Sequence, residues 1–219
     1  FVPGKALRPL LNKRKKLPFA NGFNTFIITD PYQVYEAFDF LADPENEGLF
    51  DNIVIDSLTF LMDMFESVYV IPATDSRSAW GDYQQFFKNL MQDKVAKCKA
   101  NVIFTAHTLA QYNEEQMVME NKVPVKGALK SQGIEAYFSV VVSTKKMTLK
   151  QLEKYSSDLL NITEDDEDLG AKYVFQTRLT KDTINERIRA PEGMWARNET
   201  FIDNDVSLVL NRIHEYYDN

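Results

Sequence analysis

Cysteine and histidine are nearly missing from this sequence: Cys98 is the lone thiol, and His107 and His214 are the two imidazoles. One cysteine excludes an internal disulfide, and so thin a supply of nitrogen and sulfur ligands leaves no zinc cluster to build. Long apolar runs are missing as well, none approaching the ~18 residues of a membrane span, so no membrane partner is expected. No signal-peptide pattern opens the chain, which makes the cytoplasm the expected location. Positive charge is in short supply: the net charge is −7. That balance excludes a surface that is basic all over and holds nucleic acid by charge alone.

What remains is an ordinary globular composition, 44% apolar and 26% charged over 219 residues, enough for one sizeable domain spanning 1–219. The chain opens abruptly on Phe1-Val2-Pro3-Gly4-Lys5, and it is expected to be a portion of a longer protein. Charge is uneven along it. Lys5, Arg8, Lys13, Arg14, Lys15 and Lys16 fall within twelve residues, and Glu164-Asp165-Asp166-Glu167-Asp168 concentrates acid in a stretch, 158–170, expected to be a mobile linker. There is no internal repeat.

The stretch around which the chain is organised is Asn52-Ile53-Val54-Ile55-Asp56-Ser57-Leu58-Thr59. A β-branched run that stops on a carboxylate predicts a buried parallel strand delivering Asp56 to a ligand at its carboxyl end. Mg²⁺ takes oxygen ligands, so a carboxylate at a rigid strand tip suits it while substrate phosphates fill other positions. The pattern equally allows Asp56 to cap a helix starting at Ser57. Asn101-Val102-Ile103-Phe104-Thr105-Ala106-His107 repeats the form. Ligands collect at the carboxyl ends of strands in open α/β sheets, so Asp56, Thr105 and His107 are expected to face one crevice.

Other elements follow from pattern. A short strand is expected at 24–28, then a helix after Asp30-Pro31, a second helix from about Ser57 to Val68, and a third from about Trp80 to Lys99. Residues 108–130 show no period and predict a long functional loop. Strands are expected at 137–142 and 173–177, helical structure at 147–157, and an amphipathic helix at 206–217. Strand–helix alternation predicts an α/β fold with a mostly parallel sheet and flanking helices.

The order of these motifs, with Trp80-Gly81, Lys126-Gly127, Tyr173-Val-Phe-Gln176-Thr177 and Lys181-Asp182, resembles the RecA-like P-loop ATPases of bacteriophages, including those of single-strand annealing and recombination. The resemblance spans about Asn24 to Trp195. It implies a RecA-like P-loop NTPase core that binds ATP and Mg²⁺. Asp56 would be the metal ligand of a Walker B strand, with Thr105 and His107 sensing the γ-phosphate. Ser57 and Thr59, with Lys181, Arg187 and Arg189 reaching a neighbouring subunit's nucleotide, would complete the cofactor site. Lys122, Lys126 and Lys130 would meet single-stranded DNA. The same resemblance implies a homo-oligomeric ring or filament and a phage single-strand-binding or annealing protein as partner, in the cytoplasm of a host cell.

One departure stands out: no G-x-x-x-x-G-K-[ST] occurs, and Pro3-Gly4-Lys5-Ala6 only echoes it, because Ala6 offers no hydroxyl to a metal. In the family that segment precedes the region where this sequence begins. Three functions stay open at this point. They are a DNA-dependent recombination ATPase, another P-loop ATPase such as a helicase loader or packaging motor, and a non-hydrolysing interaction protein on the same fold.

Overall fold

Apolar β-branched residues favour strands, and the computed structural model forms one at Asn52–Ile55 (β1) but buries only Ile55 of it, leaving Val54 43% exposed where a buried strand is expected. It describes residues 25–114, 117–127, 129 and 133–218. The basic run at 5–16, the Pro3-Gly4-Lys5-Ala6 echo, Asn24 and Lys130 lie outside them. The described residues divide into two compact units, one within 25–108 and 123–137, the other within 109–122 and 138–218.

In the first unit β1 pairs in parallel with β2 (Asn101–Phe104), in a register that sets Ile55 beside Phe104. Three helices complete the unit. Helix α1 (Tyr32–Leu41) follows Pro31, a residue whose fixed φ suits a helix start. Helix α2 (Leu58–Phe65) starts from the Ser57 cap and continues through a wider turn to Val70, where Ile71 N–H donates to Glu66 C=O at 2.9 Å. Helix α3 (Ser76–Asn89) starts four residues earlier than the apolar stripe indicates, because the Asp75 carboxylate accepts from the N–H groups of Arg77 and Ser78. A capping carboxylate outweighs the polar character of that first turn.

Where the helices meet, aromatic rings fill the core. Phe65 touches Tyr83, Phe86 and Phe87 at centroid distances of 5.7, 4.9 and 6.3 Å, and Tyr35 stacks on Phe86 at 4.7 Å while donating its hydroxyl to the Phe86 carbonyl. Gly127 closes the unit. Its φ is +63°, and a Cβ there would stand 3.3 Å from the Trp80 ring, so both backbone and space call for glycine.

The named strands of the second unit pair antiparallel, with one isolated parallel bridge between Asn121 and Glu186. Strands β3 (Leu109–Asn113) and β4 (Val118–Lys122) form a hairpin. Strands β5 (Ser143–Thr148), β6 (Ala171–Gln176) and β7 (Phe201–Asp203) form a three-stranded sheet in that order. Helix α4 (Leu149–Leu152) follows β5, α5 (Glu164–Leu169) precedes β6, and α6 (Val206–Tyr217) ends the chain. Met194, Trp195, Ile202 and Val209 form one core cluster; Leu152, Val174 and Phe201 form another.

Several expectations are corrected here. Among the described strands β1 and β2 are the one parallel pair, with a single parallel bridge at Asn121–Glu186 besides, so the sheet structure is not mostly parallel. The strand expected at 137–142 is displaced to Ser143–Thr148, with Val141 making a single bridge to Arg189. The apolar run 140–142 drew attention, but β5 alternates half-buried with exposed residues, the mark of an antiparallel strand with one wet face. Residues 25–28 carry no strand. The patternless 108–130 contains the β3–β4 hairpin, whose polar strands are defined by backbone pairing rather than by burial. Helix in 147–157 is confined to Leu149–Leu152.

The acidic stretch is not a linker throughout its length. Thr163 and Asp166 make a reciprocal cap, and Gly170 at φ +66° ends α5. Four acids in the first turn complement the helix dipole, and Lys172 pairs with Asp166 at 2.8 Å.

The Lys172 ammonium and the Thr163 groups hold the Asp166 carboxyl down at about 2. Its folded value lies below the ordinary one, so its contribution is present at neutral pH and lost as pH falls from about 4 through about 2. Acid unfolding followed by circular dichroism should therefore shift to higher pH in wild type than in Asp166→Asn once each is normalised to its neutral stability. Identical acid limbs would contradict this pairing.

Candidate active site

The carboxyl ends of β1 and β2 are built by a few backbone bonds. Thr105 N–H donates to Ile55 C=O at 3.1 Å, and Leu58 N–H, the first of helix α2, donates to Thr105 C=O at 2.8 Å. The parallel register thus carries one residue beyond each strand and sets Asp56 beside Thr105. The Thr105 hydroxyl donates to Asp56 Oδ1 at 2.6 Å. Both side chains are exposed.

The helix cap is Ser57, whose buried Oγ accepts from Phe60 N–H at 3.4 Å. Asp56 is therefore not the cap of α2, and its carboxylate faces outward with Oδ2 unpartnered among the described residues. The Asp56–Ser57 peptide is cis. Thr59 also serves the backbone: its Oγ1 accepts from His107 N–H at 2.9 Å, fixing the strand tip of β2 to the first turn of α2. The exposed His107 ring meets the exposed Phe60 ring edge-to-face at 5.4 Å. Sequence reasoning missed Phe60, since an aromatic residue in an apolar helix reads as core; its 61% exposure separates it from that stripe.

Asp56, Ser57, Thr59, Thr105 and His107 are brought together in the first unit. Lys126 belongs to that unit too, pairing with Glu66 and lying 4.0 Å from Asp63 on helix α2. Lys122, Lys181, Arg187 and Arg189 belong to the second unit. There Lys122 pairs with the buried Glu120 at 2.6 Å, and Arg187 approaches the same carboxylate at 3.6 Å. Lys122, Lys172 and Asn113 show how this unit pairs its charge internally: Glu120 is held below the ordinary carboxylate range, first by Lys122 and then by Asn113. Lys181 is exposed.

The donor set suits Mg²⁺. An outward carboxylate with one oxygen held and the other open, beside a hydroxyl, offers hard oxygen ligands, and no cluster of three or more His, Cys, Asp or Glu competes for a softer metal among the described residues. An α/β layer with an acid at the carboxyl end of a parallel strand is the nucleotide-binding design of P-loop ATPases. A family model described as an AAA domain matches residues 16–177, about three-quarters of the chain. The chain belongs to that AAA-domain family, whose members are nucleotide-binding ATPases of α/β P-loop fold. No curated protein and no solved structure matches the chain. Among the described residues no helix is long and apolar enough to cross a membrane.

The Thr59–His107 bond is open to a direct check. A hydrogen bond of this kind is worth roughly 0.5–1.5 kcal/mol, so Thr59→Val should speed hydrogen exchange at the His107 amide by up to about tenfold, while Thr59→Ser should leave it near wild type. Equal exchange in all three proteins would remove Thr59 from this role.

Proposed function

We propose that this protein hydrolyses ATP with Mg²⁺ and acts on single-stranded DNA in recombination or annealing, assembling as a homo-oligomer with nucleotide at subunit interfaces. The observation that carries the catalytic part is the Asp56–Thr105 pair at the tips of adjacent parallel strands, with Ser57 relieving Asp56 of capping. Thr105 orients the carboxylate through Oδ1 and leaves Oδ2 toward a metal. His107, its backbone tied to Thr59, presents an exposed imidazole that positions water or senses the terminal phosphate. Bound at Asp56, Mg²⁺ would offset negative charge on the phosphoryl oxygens.

The DNA part of the reading is supported by the hairpin that begins two residues after His107. Tyr112, Met117 and Met119 are 56%, 76% and 55% exposed, and an exposed ring is a platform on which a base stacks. Lys122 and Lys126 would contact phosphate by exchanging Glu120 and Glu66 for it; Lys181, Arg187 and Arg189 are proposed as the cations that reach a neighbouring subunit's nucleotide. That same pairing, with the net charge of −7, favours a second reading as an interaction protein without turnover.

Asp56→Asn in the full-length protein separates the two. The side chain is exposed, so the unfolding midpoint should stay near wild type while Mg²⁺-ATP turnover is lost. An unchanged rate would remove Asp56 from the metal site.

A further inference from the structure

Away from the strand tips, the first unit holds a cleft of about 300 Å³ between the starts of α1 and α3 and the far end of α2. Its walls are aromatic on one side, with Tyr32, Phe65 and Tyr69, and polar on the other, with Asp75, Ser78 and Asp82. Tyr32 meets Tyr69 edge-to-face at 5.5 Å and keeps 43% of its surface exposed.

Two helix starts would ordinarily draw an anion here. Both are already filled from within. Asp30 Oδ1 accepts from Tyr32 N–H at 2.8 Å and its Oδ2 accepts from the Tyr69 hydroxyl at 2.5 Å. Asp75 Oδ1 takes the N–H groups of Arg77 and Ser78, both at 3.1 Å. The third carboxylate, Asp82, is exposed and makes no ion pair or hydrogen bond among the described residues. The field at the rings is negative as a result: burial pushes the Tyr32 phenol up and Asp82 and Asp30 add to it, while the Asp30 bond lifts Tyr69 to about 12.

A ring face beside an open carboxylate selects a cation, and a planar one above a compact one, because it stacks on the ring and forks onto the carboxylate together. We propose that this cleft takes an arginine side chain from a partner protein, its guanidinium lying against Tyr32 and pairing with Asp82. The site is separate from Asp56 and does not depend on nucleotide.

The test is titration of the full-length protein with a blocked Gly-Arg-Gly peptide, read by amide chemical shifts. Saturable shifts at Tyr32, Ser78 and Asp82 are expected. The peptide with citrulline in place of arginine keeps the shape and removes the charge; it should bind about tenfold more weakly. Asp82→Asn should weaken the arginine peptide by a similar factor. Absence of saturable shifts, equal binding of the citrulline peptide, or equal binding of a Gly-Lys-Gly peptide would each overturn the assignment, and none of these needs a variant to fold.

Discussion

The carboxyl ends of β1 and β2 are joined by one side-chain hydrogen bond on which the candidate site depends, from the Thr105 hydroxyl to Asp56 Oδ1 at 2.6 Å. It exists because β1 and β2 run parallel in a register that sets Ile55 against Phe104, so the next residue of each strand emerges at the same level. A shift of one residue would send Asp56 and Thr105 to opposite faces. The aromatic packing of Phe65, Tyr83, Phe86 and Phe87 fixes α2 against α3, and the Leu58 amide and the Thr59 hydroxyl tie α2 to the tip of β2. Helix packing reaches the site through α2, and the strand register sets the pair itself.

Within it, hydroxyl groups divide the labour. Ser57 and Thr59 both stabilise backbone N–H groups, which leaves Asp56, Thr105 and His107 as the side chains that face outward. That division settles a choice the sequence left open. A carboxylate followed by a hydroxyl is compatible with either residue capping the helix, and the serine takes the position, so the acid is available to a metal.

Much of this first unit was legible in the sequence. The run 52–55 became β1 at those bounds, and the apolar part of the run 101–107 became β2, since apolar β-branched runs ending in polar residues admit few other readings. Helix α6 likewise follows its stripe over 206–217. The second unit was poorly legible, for a physical reason. Hairpin β3–β4 has Gln111, Asn113, Glu120 and Asn121 along its strands, and such strands are specified by cross-strand pairs and ion pairs that only the fold brings together. Glu120 illustrates it: the acid is buried, and besides Lys122, two residues along the same strand, it is compensated by Asn113 and Arg187, which no spacing rule links to it. Similarly, α5 looked like a charged linker because its stability rests on a reciprocal cap and on Lys172, which precedes no periodic pattern. Asp82, on a polar face, gave no sequence signal beside Tyr32, because the cleft that joins them forms where three helices converge.

The family is one of nucleotide-binding ATPases, and the most direct test of the proposed account is ATP hydrolysis by the full-length protein in Mg²⁺, with and without single-stranded DNA. The account predicts turnover that requires Mg²⁺ and rises when DNA is added. Absence of both nucleotide binding and turnover, with or without DNA, would contradict it and leave the Asp56–Thr105 pair as a structural bond between two strands.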